Sequence, residues 1–118
     1  MPKITRVNDP EILRNGTCFQ GDLYATYDQI IDKFGPPCDS WDGYKTDAEW
    51  VIEFEGGIIA TIYNWKNGKN YCGERGYAVE DITEWHIGGK TKAVEEWIND
   101  HIHNSWPVFD EIRQEAQF

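Results

Sequence analysis

Apolar and polar residues alternate along some stretches of this chain and recur at a helical period along others, with glycine, proline and asparagine at the switches. From Thr17, the residues Phe19, Gly21, Leu23 and Ala25 fall on one side and Gln20, Asp22 and Tyr24 on the other, which predicts a strand. Gly21 in its middle predicts a bulge or a close backbone approach. Thr26 followed by Gln29 forms a capping-box pattern. Tyr27, Ile30, Ile31 and Phe34 then mark one buried helix face. Gly35 suits the residue after the last turn, and Pro36-Pro37 forbid continuation. Alternation resumes over 47–55, with Ala48, Trp50, Ile52 and Phe54 opposite Glu49, Val51, Glu53 and Glu55. A two-residue turn at Gly56-Gly57 leads into a return strand over 58–65. It pairs Glu55 with Ile58 and puts Trp50, Ile52 and Phe54 on the face of Ile59, Thr61, Tyr63 and Trp65. A one-residue slip would swap those faces.

Asn67-Gly68 predicts a second hairpin, into a third strand near 69–72. Residues 73–76 read as a loop, 77–82 as a short extended piece and 83–87 as a strand ended by Gly88-Gly89. Trp85 and Ile87 lie on one side of that strand and His86 on the other. A helix begins near Thr91, with Val94, Trp97, Ile98 and His101 as its apolar face. Ser105 caps a short final helix with Pro107 in its first turn and Phe109 and Ile112 as its contacts. Residues 1–14 read as an irregular lead-in arm, with Asp9-Pro10 as a turn and room for a short helix at 9–14. The expectation is one domain, 1–118, with a core over 15–104 and a terminal helix over 105–118. Its class is α+β: a mostly antiparallel sheet of four to five strands with two or three helices on one face. The glutamates of the 47–55 strand then line the open face.

Composition changes this picture in two respects. Six Trp, six Tyr and five Phe supply much of the apolar area, most of it expected in the core. Twenty-one acidic residues against 11 basic give a net charge of −10. Free nucleic acid and anionic membranes are therefore poor partners, since both are held through Lys and Arg. Cys18, Cys38 and Cys72 make an odd set without a CxxC pair, expected as reduced thiols. Met1–Pro10 has no apolar stretch of the signal-peptide kind, and no apolar run reaches membrane-spanning length. A cytoplasmic protein, without cofactor or metal, is the expectation; a homodimer is left open.

Four groups could carry chemistry. HIGGKT at 86–91 has a glycine pair and Lys90 before a helix, but a phosphate loop needs glycine where Glu84 stands. Only a weak anion site, on Gly89 and Lys90, survives. NWKNGKNY at 64–71 gathers Trp65, Lys66, Lys69 and Tyr71, the pairing of aromatic stacking with cations that holds nucleotides. Trp85 and His86 could join it. His101 and His103 stand two apart on a helix, where zinc wants three or four, so no catalytic or metal role is assigned to them. Asp47, Glu49, Glu53 and Glu55 alternate along one strand, as a solvated or phosphate-mimicking acidic face.

GTCFQG at 16–21, ATYDQIIDKFG at 25–35, KTDAEW at 45–50, ATIYNWKNGKNY at 60–71 and EWHIGG at 84–89 together resemble a family of small acidic bacteriophage proteins. The resemblance spans about residues 15–100 and implies an accessory protein acting in the host cytosol, often by blocking host machinery or immunity. Two functions follow. The favoured one is an inhibitor, of the anti-CRISPR or DNA-mimic kind, that docks Asp47, Glu49, Glu53 and Glu55 on a basic groove of a host or immune protein. On that reading, reversing the charge of Glu49, Glu53 and Glu55 abolishes blocking while the fold persists. The alternative is a sponge that sequesters a nucleotide immune signal through Trp65, Lys66, Lys69, Tyr71, Trp85, His86, Gly89 and Lys90. A small enzyme would require turnover that vanishes in His86→Ala; no catalytic residue is assigned.

Overall fold

The computed structural model describes residues 2–38 and 45–103. Five strands form one antiparallel sheet: β1 (Ile4–Val7), β2 (Cys18–Tyr24), β3 (Glu49–Phe54), β4 (Ile58–Tyr63) and β5 (Glu84–Gly89), in the spatial order β1-β3-β4-β5-β2. Among the described residues, three α-helices accompany it: α1 (Tyr27–Phe34), a one-turn α2 (Lys69–Cys72) and α3 (Ala93–His103). The fold class is α+β. The expected helix at 105–118 and the loop at 39–44 lie outside the described residues. Among the described residues, no helix is long and apolar enough to cross a membrane.

α1 forms for local reasons. Thr26 Oγ1 accepts from the Gln29 amide at 3.1 Å, and Gln29 Oε1 accepts from the Thr26 amide at 2.8 Å. Gly35, at φ 79°, closes the last turn with its amide on Ile31 O. α1 and α3 share one face of the sheet, α3 lying against β2, β4 and β5. Beneath them are Leu23, Trp50, Ile52, Phe54, Ala60, Ile62, Trp85 and Ile87, closed from above by Ile30, Val94 and Ile98. The two buried indoles meet edge to face at 5.4 Å. Each gives its N–H to a carbonyl, Trp50 to Gly35 O and Trp85 to Ala25 O, so neither is buried with an unmet donor.

Five expectations are corrected. First, the 56–57 turn is one residue longer: Phe54 pairs with Ile58, not Ile59. Gly56 and Gly57 both take positive φ, and the Gly57 amide closes the turn on Phe54 O. The faces therefore swap, and Trp50, Ile52 and Phe54 share the core with Ile58, Ala60 and Ile62, while Thr61 and Tyr63 join Glu49 on the helix-free face. Second, residues 69–72 are helical, and Asn67-Gly68 opens this helix instead of a hairpin. Asp47 Oδ2 accepts from the Asn70 amide at 3.1 Å, supplying from a distance the cap that the local sequence lacks. Third, the arm contains a strand: β1 pairs with β3, and 9–12 is a turn closed from the Ile12 amide to Asp9 O. Fourth, residues 79–81 of the expected extended piece form a 3₁₀ turn anchored by buried Ile82. Fifth, β5 runs on past Ile87 through Gly88 and Gly89, which pair within it.

The expected irregularity in β2 is present. The register shifts between Phe19 and Gly21, and a Cβ on Gly21 would overlap the Glu95 carboxylate of α3. The shift turns Phe19 out to the helix-free face, against the His86 ring at 4.7 Å. Not all the aromatics serve the core: Phe19, Tyr24, Trp65, Tyr71 and Tyr77 are exposed.

Candidate functional site

The helix-free face carries Glu49, Val51 and Glu53 of β3, Thr61 and Tyr63 of β4, and His86 and Gly88 of β5. Asn8 continues the sheet edge, its amide on Val51 O and its Oδ1 accepting from the Val51 amide. The chain then folds over this face and brings Arg14 onto Glu49, Nη1 to Oε1 at 2.8 Å. Between this segment and the end of β4 lies a cleft of about 220 Å³. Its lining draws on Arg14, Thr17, Cys18, Thr46, Glu49, Thr61, Tyr63 and Trp65, with Gly16 and Gly88 as bare backbone. Gly88 keeps the floor open, since a Cβ there would press on Thr61 Oγ1 at 2.5 Å and on the Tyr63 ring. Burial, with Glu49 and Cys18 close by, pushes the Tyr63 phenol above its ordinary pKa, so it remains a hydrogen-bond donor at neutral pH.

An aromatic row borders the cleft. Phe19 meets His86, His86 meets Tyr63 edge-on at 5.5 Å, and Tyr63 meets Trp65 edge-on at 6.1 Å. At its end Lys45 Nζ and Lys66 Nζ lie 5.4 and 5.7 Å from the Trp65 ring centre, and Lys66 is also 5.5 Å from that of Tyr71. Lys90 packs its stem across Gly16 at the other end of the cleft. The loop bearing Trp65 and Lys66 is held from below by Asn64, which is fully buried. Its Oδ1 accepts from the amides of Asp47 and Ala48 at 2.7 and 3.1 Å. Its Nδ2 donates to Asp47 Oδ1 and Asn67 Oδ1 at 2.9 and 3.0 Å.

The residues expected for nucleotide binding divide accordingly. Trp65, Lys66 and Tyr71 are brought together. His86 joins them through Tyr63, and Lys90 stands by Gly16. Lys69 is exposed on α2. Trp85 is wholly buried in the core. Gly89 faces α3, where a Cβ would meet Val94, so its side does not open on the cleft.

The four carboxylates expected on an acidic face are all engaged internally. Glu49 is 6% exposed and paired with Arg14. Glu53 takes Arg6 Nε and Nη2 at 2.9 and 2.8 Å and the Thr5 hydroxyl at 2.7 Å. These bonds hold the Glu53 carboxyl down at about 2. Glu55 Oε1 accepts from the Lys3 amide, and Asp47 holds Asn64 and the cap of α2. Reversing the charge at Glu49 would set a cation against Arg14 in a buried position, so the fold is not expected to persist through that change.

Sequence reasoning missed Arg14, Thr17, Cys18, Thr46, Thr61 and Tyr63 as cleft residues, Lys45 beside Trp65, and Asn64 as their support. Correct register would have put Thr61 and Tyr63 beside Glu49. Nothing local marks Arg14, whose role depends on where the arm folds. Among the described residues, no group of three or more His, Cys, Asp or Glu side chains is placed to hold a metal ion. Comparison with models of protein families, with curated proteins and with solved structures finds no match.

Proposed function

We propose that this chain is a binding protein that captures a small, planar, anionic ligand of the nucleotide class in the cleft between residues 14–18 and the end of β4. The observation that carries this reading is convergence. In a chain of net charge −10, Lys45 and Lys66 lie against the ring of Trp65, which lines the cleft with Tyr63, Thr46 and Thr61, and Lys90 lies against Gly16 of the same lining. Aromatic faces give a base its stacking partner, and ammonium groups give a phosphate its counter-charge. On the resemblance to phage accessory proteins, such a binder serves as a sponge for a nucleotide signal. Inhibition through Asp47, Glu49, Glu53 and Glu55 draws less support, because each of these carboxylates already satisfies an internal partner.

The test is thermal melting with a panel of nucleotides. A ligand at a hundredfold excess over its Kd stabilises by about 2.7 kcal/mol, a shift of several degrees in Tm. Trp65→Ala is expected to remove the shift while changing the melting of the free protein little, since Trp65 is partly exposed. A panel without a shift, combined with a host protein that co-purifies and is lost at high salt, would reject the sponge in favour of the inhibitor.

A further inference from the structure

Two Asn-Gly pairs stand in the chain, Asn15-Gly16 and Asn67-Gly68. Such a pair is reactive because glycine has no Cβ to keep its own amide nitrogen from the asparagine side-chain carbonyl. The fold treats the two pairs in opposite ways.

Asn67 is held on three sides. Its Oδ1 accepts from Asn64 Nδ2 at 3.0 Å, its Nδ2 donates to Glu84 O at 3.4 Å, and its main-chain carbonyl accepts from the Tyr77 amide at 3.0 Å. Gly68 is buried, and a Cβ on it would overlap the Asp47 carboxylate. Asn15 and Gly16 are both exposed. They form the tip of a turn whose ends are tied by Thr17, its amide and its hydroxyl both donating to Arg14 O, at 3.2 and 2.8 Å. Gly16 takes φ 81°, a value that suits glycine at this place in a turn. Among the described residues, neither the Asn15 side-chain amide nor the Gly16 N–H makes a hydrogen bond. The two reacting groups are therefore neighbours that nothing restrains.

We infer that Asn15-Gly16 is a self-modification site, at which Asn15 is converted to aspartate and isoaspartate in the folded chain, while the fold protects Asn67-Gly68. A solvent base takes the Gly16 amide proton, and the nitrogen attacks Asn15 Cγ. The new N–Cγ bond closes a succinimide ring, the Cγ–Nδ2 bond breaks, and Nδ2 leaves as ammonia with a proton from the solvent. One water then cleaves either imide C–N bond. Opening at Cγ gives aspartate. Opening at the main-chain carbonyl gives isoaspartate, with the backbone running on through Cβ and Cγ. No oxidation or reduction is involved. Either product brings a carboxylate to this turn, and isoaspartate also lengthens the backbone by a carbon atom next to Gly16, Thr17 and Cys18 of the cleft lining.

The test is incubation of the full chain in mildly alkaline water enriched in heavy oxygen, then cleavage after glutamate in ordinary water and mass spectrometry. Glu49, Glu53 and Glu55 put the two pairs on separate fragments. Asn67 reacts only after its hydrogen bonds open, so in the folded chain Asn15 should take up label roughly tenfold faster, and in urea the two rates should converge. Asn15→Gln, whose larger ring closes far more slowly, should abolish label in the first fragment and leave Asn67 as it was. Equal labelling of the two pairs in the folded chain overturns the inference, and so does an Asn15 that stays unlabelled there. A preference for Asn15 that persists unchanged in urea removes the fold from the account. Label retained in the first fragment of Asn15→Gln overturns the assignment to Asn15.

Discussion

Asn64 uses its full hydrogen-bonding capacity, two bonds accepted at Oδ1 and two donated from Nδ2, with no exposure to water. It joins the start of β3 to the loop that carries Trp65 and Lys66. Asn64→Ala would leave the Asp47 and Ala48 amides without their acceptor, at a cost of about 2–4 kcal/mol. Urea denaturation should report that loss, and an effect below about 0.5 kcal/mol would mean that the loop supports itself. The residue drew no notice in the sequence because a buried asparagine looks like any turn asparagine until its partners are known. Glu49 misled in the opposite way: alternation assigned it to a face correctly, but a face without helices is not a solvated face. Here the chain from Asn8 to Thr17 folds onto it.

Elements with local causes were the legible ones. The capping box, the i, i+3, i+4, i+7 face and Gly35 all lie within ten residues, and α1 forms where they predict. Thr26→Ala should cost about 1 kcal/mol and lower the helical circular-dichroism signal near the midpoint of unfolding. β1 and α2 depend on distant partners, which is why their types could not be read locally. β1 is ordered by β3, and part of that bond is the pairing of Arg6 with Glu53. The Glu53 carboxyl is held below its ordinary 4.5, first by the Arg6 hydrogen bonds and then by Thr5. Its contribution is therefore complete above pH 4.5 and lost as the pH falls toward about 2. Acid titration of stability should show this loss in the wild type and a flatter curve in Arg6→Ala. The same slope in both would remove the pair from the account of β1. The hairpin of β3 and β4 lies between these cases: both strands and the glycine turn were legible, yet one extra loop residue reversed the facing of every side chain in β4.

For the molecule as a whole, the helix layer and the sheet meet at His101, whose ring lies near Phe34 of α1 and Phe54 of β3. Its Nε2 is buried without a hydrogen-bond partner among the described residues. Burial, and then Lys33, push its pKa below the ordinary 6.5, with Asp100 acting in the opposite sense. The unfolded chain thus takes up a proton before the folded one does, and stability should fall as the pH drops below about 6.5. His101→Phe should remove that limb of the profile and leave the Glu53 limb at lower pH. An unchanged limb would show that His101 is already solvated. The fold class was legible because it follows from the order of elements. The cleft was not, because its lining comes from residues 14–18, 46–49, 61–65 and 88, stretches that touch only after the sheet has closed. β2 and β5, some sixty residues apart in the chain, must pair before Cys18 and Gly88 come together in the cleft lining. Closing so long a loop belongs to the slow part of folding. A chain emerging from the ribosome therefore lacks the assembled cleft until residue 88 and its strand are free. From then on, any ligand of the cleft would report that the sheet has closed, before α3 need be in place.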